Sequence, residues 1–218
     1  MWEIFLKGGP FMWPLLVCSI AAGAIVFERL WTLQEKRVIP HELTEQVWKW
    51  LQANQVNDKL IGALEQNSPL GKVLSVGLAN RARPREILIE RLQDTGRHVV
   101  HELERFIGTL GMIASLSPLM GLLGTVTGMI RTFNAITTAG VGNPTALAGG
   151  IAEALICTAA GLAVAIPATI CYRLLRGRVE RLVVAMEKEA MKLVQAIEAQ
   201  PGVRVQASAH SGSRGAAA

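Results

Sequence analysis

Three stretches of this chain are almost free of charge, and they limit what it can fold into more than any other feature. Residues 8–27 and 106–130 contain no Asp, Glu, Lys or Arg, and from Gly140 to Tyr172 the one charged residue is Glu153. A helix needs about 20 mainly apolar residues to cross the hydrocarbon of a bilayer. Each stretch is long enough. The expected fold is an all-α integral membrane protein with three transmembrane helices, two of them long and extending into a helical cytoplasmic region.

The remaining charges indicate the direction of crossing. Residues 28–105 hold twelve Lys and Arg and residues 173–218 hold eight, leaving only Lys7 and Arg131. Lys and Arg collect in cytoplasmic segments. The expected layout is therefore a short N-terminus on the outer side at 1–8, spans at 9–30, 106–132 and 144–172, and a cytoplasmic helical domain at 31–105. A linker on the outer side at 133–143, a cytoplasmic helical extension at 173–200 and a disordered tail at 201–218 complete it.

The formal charge of +5 then follows from topology, and it argues against nucleic acid as a partner. The twelve bases of the long loop are offset by eleven acids, without the basic face and interleaved aromatics that such binding needs. Ahead of the first span stand Glu3 and Lys7 in place of a positive cluster, which favours a retained anchor over a cleaved signal peptide. Cys18, Cys157 and Cys171 all fall in apolar segments and read as small hydrophobes, implying no disulfide.

Helical periodicity runs well beyond the spans. Leu43, Val47, Trp50 and Leu51 share one face, and further short amphipathic pieces continue to about Asn80. Pro84 opens a helix whose stripe of Leu88, Leu92, Val99, Leu103 and Phe106 leads into the second span. That continuity predicts a single helix over 85–132, roughly 70 Å long at 1.5 Å per residue. In the third span Asn143 is a suitable N-cap and Pro144 suits the first helical position. Its stripe continues through Val179, Leu182, Met186, Ala190, Leu193 and Ile197 to a stop at Gln200-Pro201-Gly202, with Pro167 a candidate bend.

The run "GLLGTVTG" at 121–128 lacks the Lys of a phosphate loop and the strand context of a dinucleotide fingerprint. In an apolar helix, Gly121, Gly124 and Gly128, with Gly161 in the third span, instead let neighbouring backbones approach closely. Glu153 has no such structural explanation. A charged acid at the centre of a membrane helix costs about 2.5–3.5 kcal/mol even on insertion scales, and such residues face a bundle interior or a wet cavity. It lies roughly 13 Å along the helix from Pro144. A carboxyl that takes up and releases a proton there is what a proton relay requires.

Thr125 and Thr158 are candidate hydroxyls beside such a path, although a threonine in a membrane helix often bonds back to a carbonyl one turn earlier. On an ideal helix Thr158 points about 140° away from Glu153. His98 and His101, with Glu102 beside them, lack a third ligand of suitable geometry, and no Ser/His/Asp grouping is placed for nucleophilic chemistry. The expectation is no enzyme activity, cofactor or metal. From the residues alone, a proton-coupled transporter with its own substrate and a membrane scaffold both remain open.

The segments "SPLMGLLGTVTGMIRTF" at 117–133 and "GGIAEALICTAAGLAVAIPA" at 149–168 resemble the MotA/TolQ/ExbB proton-channel family, and within it the ExbB and TolQ branch. The three-span layout resembles that branch over residues 1–200. The resemblance implies that Glu153 matches the family's membrane acid and that Thr125 and Thr158 match its two pore threonines. It further implies a homopentamer in the bacterial inner membrane around an ExbD-like or TolR-like single-span partner, driving a TonB-like protein for siderophore or vitamin uptake, or the Tol-Pal envelope system. Ala148-Gly149-Gly150 stands here where the family often has Ala-Pro-Gly.

Overall fold

The computed structural model describes residues 8–52, 57–139 and 144–199. The described residues contain no strand and are helical almost throughout: α1 (Met12–Thr32), α2 (Glu35–Val38), α3 (His41–Gln52), α4 (Asp58–Asn67), α5 (Pro69–Ala79), α6 (Arg85–Glu104), α7 (Ile107–Ala139) and α8 (Pro144–Ala199). By length and composition α1, α7 and α8 can each cross a membrane. The protein is therefore all-α with three membrane-length apolar helices. The expected cap Asn143, the stop at 200–202, the tail at 201–218 and most of the N-terminal 1–8 segment lie outside the described residues.

The chain divides into two compact units. One comprises Met1–Leu30 and Phe106–Arg176, the other Trp31–Arg105 and Gly177–Ala218. In the second unit the short helices form an ordinary apolar core. Ser68, in extended conformation, caps α5 by accepting from Gly71 N at 3.0 Å, and Pro69 follows at the first helical position, where its missing N–H costs nothing. At Gly77 a Cβ would lie 2.6 Å from Leu193 Cδ2 and 3.3 Å from Leu92 Cδ2, so α5 packs tightly on both α6 and α8. Leu43 and Val47 are buried, as are Leu88, Leu92, Val99 and Leu103 along α6. So is the α8 stripe Val179, Leu182, Met186, Ala190, Leu193 and Ile197.

The single helix expected over 85–132 is broken. Arg105 is extended (φ −50, ψ 136) and Phe106 takes φ +62, the one positive φ at a non-glycine among the described residues. Phe106 therefore leaves the buried stripe and is 44% exposed, while Ile107 takes the core position. A left-handed conformation costs an ordinary residue about 1–2 kcal/mol. An offsetting contact is present: the guanidinium of buried Arg29 sits 5.5 Å from the Phe106 ring centroid. Such cation–π contacts are worth up to about 2 kcal/mol when desolvated.

Helix α7 also continues to Ala139, into the stretch read as a linker from 133. Both α7 and α8 run on as helices through Pro118 and Pro167. Ala148-Gly149-Gly150 is helical too. The expected start of the first span at 9 falls three residues before α1 begins, because Gly9 has φ +77 and cannot be helical.

Candidate functional site

Within the membrane-length unit, α7 and α8 meet along a seam of small residues. A Cβ at Gly121 would lie 3.1 Å from both Cys157 O and Thr158 Cα, and one at Gly161 would lie 2.7 Å from Ser117 O and 3.0 Å from Gly121 Cα. Further along, a Cβ at Gly124 would lie 2.6 Å from Cys157 Cβ, and one at Gly128 would lie 3.0 Å from Gly150 O and 3.2 Å from Ala154 Cβ. The four glycines thus occupy positions where side chains would separate the two backbones. Ala154, Cys157, Gly161 and Ala165 are buried on the facing side of α8.

That contact fixes where the polar residues stand. With Ala154, Cys157 and Gly161 at the centre, a 100° step per residue puts Glu153 on one flank of the seam and Thr158 on the other. The Glu153 side chain is only 17% exposed, and it is not alone. Arg131 of α7 donates from Nη1 to Glu153 Oε1 at 2.7 Å. The acid and the base that stand isolated in the apolar sequence are therefore one ion pair. Gly9 also touches the site, since a Cβ there would run into the same Oε1.

The hydroxyls are engaged elsewhere. Thr158 donates across the seam to Gly121 O at 3.3 Å, and Thr125 donates back along α7 to Leu122 O at 2.6 Å. The two threonines thus reach neighbouring carbonyls of one α7 turn, and neither bonds to Glu153. Thr132 is buried and donates to Gly128 O at 3.0 Å, close to where a Cβ on Gly150 would fall.

In the sequence Arg131 stands out only as a charge at the end of the second span, and Gly9 only as the residue where the first span opens. The partnership of Arg131 could have been suspected from charge alone, because no other base stands between Arg105 and Arg173. For Gly9 the signal was weaker: a Gly-Gly-Pro turn marks a helix entry without saying what lies against it. Chemically, the site offers one carboxyl group and one guanidinium. It offers no nucleophile–base pair, and among the described residues no cluster of His, Cys, Asp and Glu could hold a metal.

Residues 65–188 match a family described as the MotA/TolQ/ExbB proton channel family. The chain is 37% identical over 179 residues to the putative biopolymer transport protein ExbB-like 1 of Synechocystis sp., covering 78% of this chain and 68% of that protein. It is 29% identical over 190 residues to the biopolymer transport protein exbB1 of Vibrio cholerae, covering 82% and 80%. To the Tol-Pal system protein TolQ of Pseudomonas aeruginosa it is 26% identical over 183 residues, covering 79% of each.

Proposed function

The chain belongs to the MotA/TolQ/ExbB proton channel family, and we propose that it is the stator subunit of an inner-membrane complex that uses the proton motive force to energise a TonB-like protein. In this reading Glu153 is the ionisable group on the proton path, and Thr125 and Thr158 line it. The partners are further copies of the chain in a homopentamer, an ExbD-like single-span protein and the TonB-like protein. The N-terminus is periplasmic, and the unit containing Trp31–Arg105 is cytoplasmic. Siderophores or vitamins are the cargo taken up through the outer membrane.

One observation carries the reading: a mostly buried carboxylate on an apolar helix is held by one arginine of the neighbouring helix. Burying the carboxylate of an ion pair is no cheap source of stability, because desolvation offsets much of the attraction. A pair whose acid can be neutralised is instead a two-state element that a proton can bias.

The test is Glu153→Gln, which keeps the shape and removes the charge change. Ferric-siderophore uptake should fall to the level of cells lacking the chain while the complex still assembles in the membrane. A variant that supports normal uptake overturns the proposal. A Tol-Pal role is the second reading, favoured by the similarity to TolQ across most of both chains. There the same substitution leaves iron uptake intact and makes the outer membrane leak periplasmic protein.

A further inference from the structure

Ahead of α1, the chain turns back against the start of α8. Gly8 is buried, and a Cβ on it would lie 3.1 Å from Ile156 Cγ2 and 2.6–2.7 Å from the Met12 side chain. Gly9 has φ +77, the left-handed region that glycine enters freely and other residues do not. A Cβ on Gly9 would clash with Glu153 Oε1 and lie 3.0 Å from Cδ and 3.4 Å from Cγ of the same residue. The turn is fastened to the helix it precedes: Met12 N donates to Gly9 O at 3.2 Å and Trp13 N to Pro10 O at 3.4 Å. Pro10 adds a fixed φ to the segment.

The α-carbon of Gly9 and the guanidinium of Arg131 thus close on one and the same carboxylate oxygen. Ile156 follows Glu153 by three residues, so the Gly8–Gly9 turn runs along a single face of α8 and covers it. We propose that this turn is a fitted cover over the membrane acid, and that Gly9 is a positioning residue keeping Glu153 against Arg131. Any side chain at position 9 must displace either the carboxylate from the arginine or the turn from the carboxylate. In the first case the acid loses its cation and in the second its cover, and either change opens it to reagents. The role of the cover in proton transfer rests on the function proposed above, but its existence does not.

The test reads the acid directly. Dicyclohexylcarbodiimide, an apolar reagent that modifies protonated carboxyl groups, is applied to membranes carrying the full-length chain, and the adduct on Glu153 is quantified by peptide mass. Gly9→Ala and Gly9→Asn should each raise modification severalfold over the unaltered chain. Asn accepts positive φ more readily than Ala, so a rise in both variants reports the blocked space and not backbone strain. Gly23→Ala on α1, where a Cβ meets nothing within 4 Å, should leave it unchanged.

Modification at the unaltered level in both variants overturns the proposal, and so does a rise with Ala alone. Should the Gly9 variants fail to accumulate, Gly8→Cys combined with Ile156→Cys decides the matter. Mild oxidation should join the two residues, and absence of the cross-link overturns the cover. None of these outcomes depends on siderophore uptake, so failure here and failure of the Glu153→Gln uptake test are separate results.

Discussion

The side chain of Arg131 is 57% exposed while that of Glu153 is 17% exposed, so the two partners do not share one environment. Breaking a fully buried pair by removing one member costs about 3–5 kcal/mol, and the exposure of Arg131 places this pair below that range. Arg131→Gln should still lower thermal stability in detergent by ~1 kcal/mol or more, because Glu153 loses its cationic partner. In combination with Glu153→Gln the losses should not add: residues in direct contact show coupling energies of about 0.5–3 kcal/mol. A thermal-unfolding cycle over the two single variants and the double variant measures this. Strict additivity would mean that the pair does not form. The pairing was only partly legible in the sequence. Charge counting isolates both residues, but bringing positions 131 and 153 together depends on the register of two helices, which periodicity within each does not specify.

Among elements, α7 and α8 are held by close approach of their backbones. Replacing Gly161 by Leu puts a side chain where Ser117 O and Gly121 Cα already stand within 3.0 Å of any Cβ. Overpacking a filled contact costs typically ~1–3 kcal/mol; backbone atoms on both sides leave little room to relax, which puts Gly161→Leu at the upper end. Its folded fraction should drop in detergent, read by thermal unfolding, while Gly108→Ala, with nothing near its Cβ, stays at the parent value. The helices themselves were legible because each apolar stripe repeats at the helical period, as Val179 to Ile197 do. The break at Phe106 was not, because the buried series Val99, Leu103, Ile107, Leu110 keeps helical spacing straight across it. The exposed Phe106 ring meets instead Arg29, a partner distant in sequence.

At the scale of the whole molecule, the membrane-length helices leave large apolar side chains uncovered. Val17, Ile20 and Phe27 on α1, Leu119, Leu122 and Phe133 on α7, and Leu155, Ile166 and Leu174 on α8 are all exposed. Contiguous apolar surface on this scale belongs against lipid or another protein. Since the proposed complex is a homopentamer, cross-linking of intact membranes should give a ladder of multiples of one chain, and a chain that stays monomeric at every cross-linker concentration contradicts it. The glycine seam adds a constraint on that assembly. From Ser117 to Gly128 the two backbones lie too near for a solvent molecule to lodge between them, and Glu153 and Thr158 sit on opposite shores of this dry strip. Whatever hydrates one of them does not reach the other through the middle of the chain. In the proposed homopentamer, a continuous aqueous route past both would be walled on its open side by a neighbouring copy, so conduction would belong to the ring and not to the link.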